Sequence, residues 1–178
     1  SSSQSSIVSN NVKDLAWDAN RKMLWIATDN GLSRYIPSED KFFNIQTTPY
    51  ADSIVENDIS ELLVATRSGR LWYTTETEPG INCLSVEFDS ESKNPPPANH
   101  FAHDPIDEKS IADNNITDFI EDRAGNIWIS TAQNGVSFNS YVNPKFINFK
   151  YDSENEWGLK SNKIYSIAVQ DDGMLWVA

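Results

Sequence analysis

Apolar residues along the chain come in short runs, each broken by polar pairs and a glycine, and one such phrase recurs. Residues 24–35 read LWIATDNGLSRY, residues 127–138 read IWISTAQNGVSF, residues 62–73 read LLVATRSGRLWY, and residues 175–178 read LWVA. Recurrence on this scale marks a repeat architecture, so the repeat constrains the fold before any single residue does. Shifting Ile116–Trp128 by 48 residues lays it on Ile164–Trp176 without a gap: Ile116 meets Ile164, Phe119 meets Ile167, Gly125 meets Gly173 and Trp128 meets Trp176. The copy that starts at Val12 reaches Trp25 with one extra residue in its turn. All three copies follow an Asn entry, at Asn10-Asn11, Asn114-Asn115 and Asn162.

The remaining copy is degenerate. A shift of 38 lays Leu63–Thr66 on Trp25–Thr28, Gly69 on Gly31 and Tyr73 on Tyr35, with Leu63 in place of the Trp. A rival alignment lays Trp72 on Trp128. The first is preferred because it leaves a strand on each side of ELLVATRSG.

The segments VKDLAW, ITDFIE and IYSIAV are short, rich in β-branched and aromatic residues, and bounded by Asp, Asn or Gly, so they predict strands. DRAG and QDDG predict tight turns whose Gly supplies a positive φ. NIWIST and MLWIAT then form second strands, and DNG, RSG and QNG turn the chain again. LSRYI, RLWYTTE and VSFNS follow as third strands, with KFFNIQ, CLSVEF and KFINFK as fourth strands. No segment has helical periodicity. Each unit is thus a four-stranded antiparallel meander of roughly 40 to 60 residues with a Trp in it, the signature of a β-propeller blade. The expected fold is all-β, with about three and a half blades: 9–48, 50–113 with a long loop at 89–113, 114–151, and a partial blade at 162–178. The recurring Trp residues read as apolar plates packed between sheets and not as ligand platforms, because their spacing follows the architecture.

Composition narrows the function. The chain has 178 residues, 39% of them hydrophobic and 22% charged, enough for a sizeable core and unlike a disordered tail. No apolar run approaches the roughly 20 residues that span a bilayer. The polar start, SSSQSSIVSNN, carries no leader pattern. A net charge of −12 with no basic cluster disfavours nucleic acid and anionic membranes as partners. The single cysteine, Cys83, excludes an internal disulfide and reads as a buried, inert thiol in NCLSVEF.

Candidate chemistry is sparse. The loop 89–113, rich in Pro, Ser and charge, contains His100, His103 and Asp104, an H-x-x-H-D cluster that reads either as a metal site or as a solvated loop. No helix aligns the two imidazoles. Trp157, in DSENEWGLKSN, reads either as a plug at a blade edge or as a platform on which the CH face of a sugar stacks, with neighbouring acids and amides bonding hydroxyls. Trp17 carries the same ambiguity. No nucleophile elbow, Cys-His pair or phosphate-binding Gly loop is present, so no catalytic residue and no cofactor are expected. An incomplete ring would leave sheet faces and strand edges open, which predicts self-association, in the extreme as a two-fold assembly of two chains.

The phrase N-x-(V/I)-x-x-(L/F/I)-x-x-(D/Q)-x-x-G-x-(L/I)-W-(I/V)-(A/S)-T-x-x-G-(L/V) resembles the two-component regulator propeller repeat. The match is carried by Asn115, Ile116, Phe119, Asp122, Gly125, Ile127, Trp128, Thr131, Gly135 and Val136 and runs from about Val12 to Ala178. The resemblance implies a periplasmic sensor region of a hybrid two-component protein, which detects an oligosaccharide released from a polysaccharide and signals to a histidine kinase elsewhere in the polypeptide. It also implies that the chain, which stops within the repeated phrase, is a piece of a longer propeller. Two other readings stay open: a secreted propeller enzyme acting on polysaccharide, as a lyase or glycosidase, and a non-catalytic interaction scaffold.

Overall fold

The computed structural model describes residues 6–45, 58–85, 98–143 and 145–178. All regular structure among them is β. The chain divides into two compact units, residues 1–78 with 82–100, and residues 79–81 with 101–178.

In the first unit, β1 (Val12–Asp18), β2 (Met23–Thr28), β3 (Gly31–Ile36) and β4 (Lys41–Ile45) form one antiparallel sheet in chain order. The second sheet takes β5 (Ile59–Ala65), β6 (Arg70–Thr75), β7 (Ile81–Ser85) and β8 (Asn99–Phe101), again in order. The second unit holds the sheet β9 (Ile116–Glu121), β10 (Ile127–Thr131), β11 (Val136–Asn139), β12 (Phe146–Phe149) and the pair β13 (Ile167–Val169), β14 (Leu175–Val177). These are the expected meanders.

The second sheet corrects the preferred alignment. ELLVA lies in β5, a first strand, and Trp72 lies in β6, a second strand, paired with Leu63 of β5 and Cys83 of β7. CLS is the end of a third strand, and the fourth, β8, lies inside the expected loop. Trp25, Trp72, Trp128 and Trp176 therefore all occupy second strands. The rival alignment holds because the Thr three residues after Trp25, Trp72 and Trp128 caps the following turn. The Thr28 and Thr131 hydroxyls donate to the carbonyls of Gly31 and Gly135 at 2.8 and 2.9 Å. Thr75 donates to Glu78 O at 3.2 Å in a turn that is longer and closes on Gly80. The resemblance of VATRSG to IATDNG reflects two turns at different places in the meander.

Burial of the indoles follows the strands available to cover them. Trp25 and Trp72 are 0% and 2% exposed. Trp128 is half-buried against Val136, Ile164 and Ile167, while Trp176, on the two-stranded pair, is 59% exposed. The polar residue six positions before the Trp accepts its indole N–H in the second unit: Asp122 Oδ2 from Trp128 at 3.0 Å, Gln170 Oε1 from Trp176 at 2.9 Å. This explains the D/Q position of the repeated phrase. Asp122 Oδ1 also accepts the backbone N–H groups of Ala124 and Asn126, which closes the DRAG turn.

Each four-stranded sheet has a register shift at the second residue of its first strand, between Val12 and Asp14, Ile59 and Glu61, and, across from Ser130/Thr131, between Ile116 and Asp118. A bulge re-aims the next side chain. Here it turns Asp14 and Asp118 onto the first strand of the following sheet.

Candidate functional site in the segments leading into β9 and β13

Segment 103–114 (HDPIDEKSIADN) leads into β9, and segment 151–162 (YDSENEWGLKSN) leads into β13. They share one hydrogen-bonded frame at the same 48-residue shift. The carboxylates of Asp104 and Asp152 accept the N–H two residues on, from Ile106 and Glu154, both at 2.9 Å. Their carbonyls accept from Asp107 N and Asn155 N at 3.2 Å. Asp107 and Asn155 side chains in turn accept from Lys109 N and Trp157 N. Asn114 and Asn162 close the two segments, each taking the N–H of the first residue, His103 or Tyr151, on its side-chain oxygen at 2.6 Å. The frame is built from Asx turns, which Asp and Asn form with nearby backbone N–H groups.

Both segments meet the turn between β10 and β11. Asn134 Nδ2 donates to Asp113 Oδ2 at 2.8 Å, and Gly135 N donates to Asn162 O at 2.8 Å. Gly135 has φ +83°, and a Cβ there would lie 2.1 Å from Phe149 O, so only glycine fits. Both frames thus hydrogen-bond to the one turn between β10 and β11.

At the exposed part of each frame sits a large apolar side chain. Trp157 is 95% exposed and Ile106 is 91% exposed. Among the described residues Trp157 covers no sheet edge. Its backbone is pinned by Asn155 while its ring stands in solvent. The position equivalent to Trp157 in the other frame is Lys109.

The metal candidates have other duties. His100 lies on β8, with Nδ1 3.0 Å from Asn82 Oδ1 and Nε2 4.0 Å from Glu78 Oε1. His103 Nδ1 sits 2.8 Å from Ile111 O, and Asp104 caps its own turn. Among the described residues no group of three or more His, Cys, Asp or Glu side chains is placed to hold a metal ion. Part of the expected 89–113 loop, residues 89–97, lies outside the described residues. The remainder is β8 and the first frame, in place of the long loop expected there. The signal for it was the shared Asp at 104 and 152 and the shared Asn at 114 and 162. Trp17, on β1, is 51% exposed. Cys83 is buried, and burial pushes its thiol up to about 11, with Arg70 opposing, which makes it a poor nucleophile.

Residues 110–133 match the family model described as two component regulator propeller. Over 96% of its length the chain is similar in fold to the extracellular domain of the putative hybrid two component system BT3049 from B. thetaiotaomicron, with TM-score 0.69 and 21% identity, covering 22% of that chain. The extracellular domain of the putative one component system BT4673 from the same organism gives TM-score 0.63 and 21% identity over 96% of this chain and 20% of that one. Virginiamycin B lyase from Staphylococcus aureus gives TM-score 0.60 and 14% identity over 94% of this chain and 48% of that one. No curated protein matches. The fold is that of β-propeller blades, and the chain spans only 22% and 20% of the two extracellular domains. No helix among the described residues is long and apolar enough to cross a membrane.

Proposed function

Given a chain built on the two component regulator propeller repeat, we propose that it is part of the periplasmic, ligand-sensing region of a hybrid two-component protein. Its ligand is an oligosaccharide derived from a polysaccharide, and the signal passes to a histidine kinase elsewhere in the polypeptide. The chain itself binds and does not catalyse. The observation that carries this reading is Trp157: an indole 95% exposed on a segment whose backbone is held by Asp152, Asn155 and Asn162. A sugar ring stacks its CH face on such a ring, and a fixed backbone lowers the ordering cost of binding. Carboxylates on the same segment, at Asp152, Glu154 and Glu156, supply strong acceptors for hydroxyls.

The sensing role needs only a modest coupling, about 1–3 kcal/mol between ligand binding and the arrangement of the sensor. The test is a glycan array probed with the chain and with its Trp157→Ala variant. The reading requires at least one oligosaccharide whose retention is lost in the variant while its circular dichroism is unchanged. Turnover of a polysaccharide by the chain alone would favour the enzyme reading instead.

A further inference from the structure

The charges around Trp157 bear on which oligosaccharide it can take. We infer that the ligand carries no acidic groups, neither uronate nor sulfate; this rests on the reading of Trp157 as a sugar platform. The segment 151–162 holds Asp152, Glu154 and Glu156 against one cation, Lys160, and the segment 103–114 holds Asp104, Asp107, Glu108 and Asp113 against one, Lys109. The carboxylates thus outnumber the ammonium groups by three to one in the first of these segments and four to one in the second. Lys160 Nζ turns back to donate to the carbonyl of Glu156, and Lys109 lies in the other frame.

The acids are not spread over an arbitrary surface. Glu154 and Glu156 both lie just before Trp157 on a frame held by Asx hydrogen bonds. The second acidic frame meets the same β10–β11 turn through Asp113, while the Trp157 frame meets it through Asn162. A ring stacked on the indole would lie within about 10 Å, the screening distance at ordinary salt, of its own segment's carboxylates. A uronate or sulfate there meets like charge, which works against both encounter and residence. A sugar bearing only hydroxyls meets acceptors. The same arrangement that makes the platform attractive to neutral sugars therefore selects against acidic ones.

The array separates this inference from the reading on which it rests. Neutral oligosaccharides and length-matched oligogalacturonides and sulfated disaccharides are presented to the chain, to Trp157→Ala, and to the double variant Glu154→Gln/Glu156→Gln. The expected result is Trp157-dependent retention of neutral members only, with acidic members gaining roughly tenfold in the double variant as the repulsion is relieved. Trp157-dependent retention of an acidic glycan by the unaltered chain overturns the inference and leaves the sensing reading standing. No Trp157-dependent retention of any glycan overturns the sensing reading itself.

Discussion

Asp118 reaches out of its own sheet to Ile167. Its Oδ2 accepts the backbone N–H of Ile167 at 3.0 Å and the Ser166 hydroxyl at 2.9 Å. In the first unit Asp14 does the same for Leu62 N at 2.8 Å, from the equivalent place after the bulge. The acceptor is the third residue of one first strand, and the donors, Leu62 and Ile167, each pair with the residue after the second-strand Trp, Tyr73 and Val177, so one carboxylate sets the register between successive sheets.

Asp118→Ala should leave the Ile167 amide without its carboxylate and destabilise the second unit by about 1–3 kcal/mol. Chemical denaturation followed by Trp fluorescence reads this. A midpoint unchanged from the parent would show that the bond does not hold the sheets together.

The indoles should differ in weight although they share one place in the repeat. Trp72→Ala, at a residue 2% exposed, is expected to cost about 3–5 kcal/mol, whereas Trp176→Ala, at one 59% exposed, should cost well under that. Equal losses in urea titrations would contradict the burial described above.

Glycines separate two contributions. Gly135 and Gly173 both have positive φ, at +83° and +91°, but a Cβ at Gly135 strikes Phe149 O while one at Gly173 meets nothing within 4 Å. Gly173→Ala should cost about 1 kcal/mol from backbone conformation alone. Gly135→Ala should cost clearly more, and its thermal midpoint should fall further.

Acid should weaken the second unit through Asp122. Burial pushes its carboxyl up, but the bonds from Asn126 and Trp128 outweigh this and hold it below the usual 3.8. A depressed folded-state value means that the stabilisation is complete above the unfolded value and is lost as pH falls through the folded one. Stability should therefore be flat above about pH 5 and decline below about pH 4, and Asp122→Asn should flatten that decline. A stability profile with the same slope in the variant would remove Asp122 as its source.

We propose that the β1 face drives self-association. The first-strand residue that pairs with the one after the second-strand Trp is buried at Leu62, Phe119 and Ile167, at 9%, 7% and 5% exposure, yet its counterpart Leu15 is 55% exposed, beside Val12 at 42% and Trp17 at 51%. A face that is covered at every other copy and open at this one is a ready surface for a second chain. Light scattering over a range of concentrations should show assemblies that Leu15→Ser with Trp17→Ser reduces. Monomer throughout would dispose of the idea.

Local chemistry was legible in the residues. The turn glycines, the recurring Trp, and the alternation of short apolar runs with polar pairs act over a few positions, so they leave a readable period. That period was enough to establish all-β meanders and the repeat they belong to. Tertiary structure decided the rest. It assigned Trp72 to a second strand, because strand order depends on which neighbour pairs with ELLVA and not on how its turn is spelled. It turned part of the expected long loop into a second copy of the frame that carries Trp157, because that frame is made of bonds from backbone N–H groups to Asp and Asn, which are required at only a few points and leave the other side chains free to vary. It also set the exposure of each indole, since burial comes from the strands that cover a ring and not from the ring's place in the phrase.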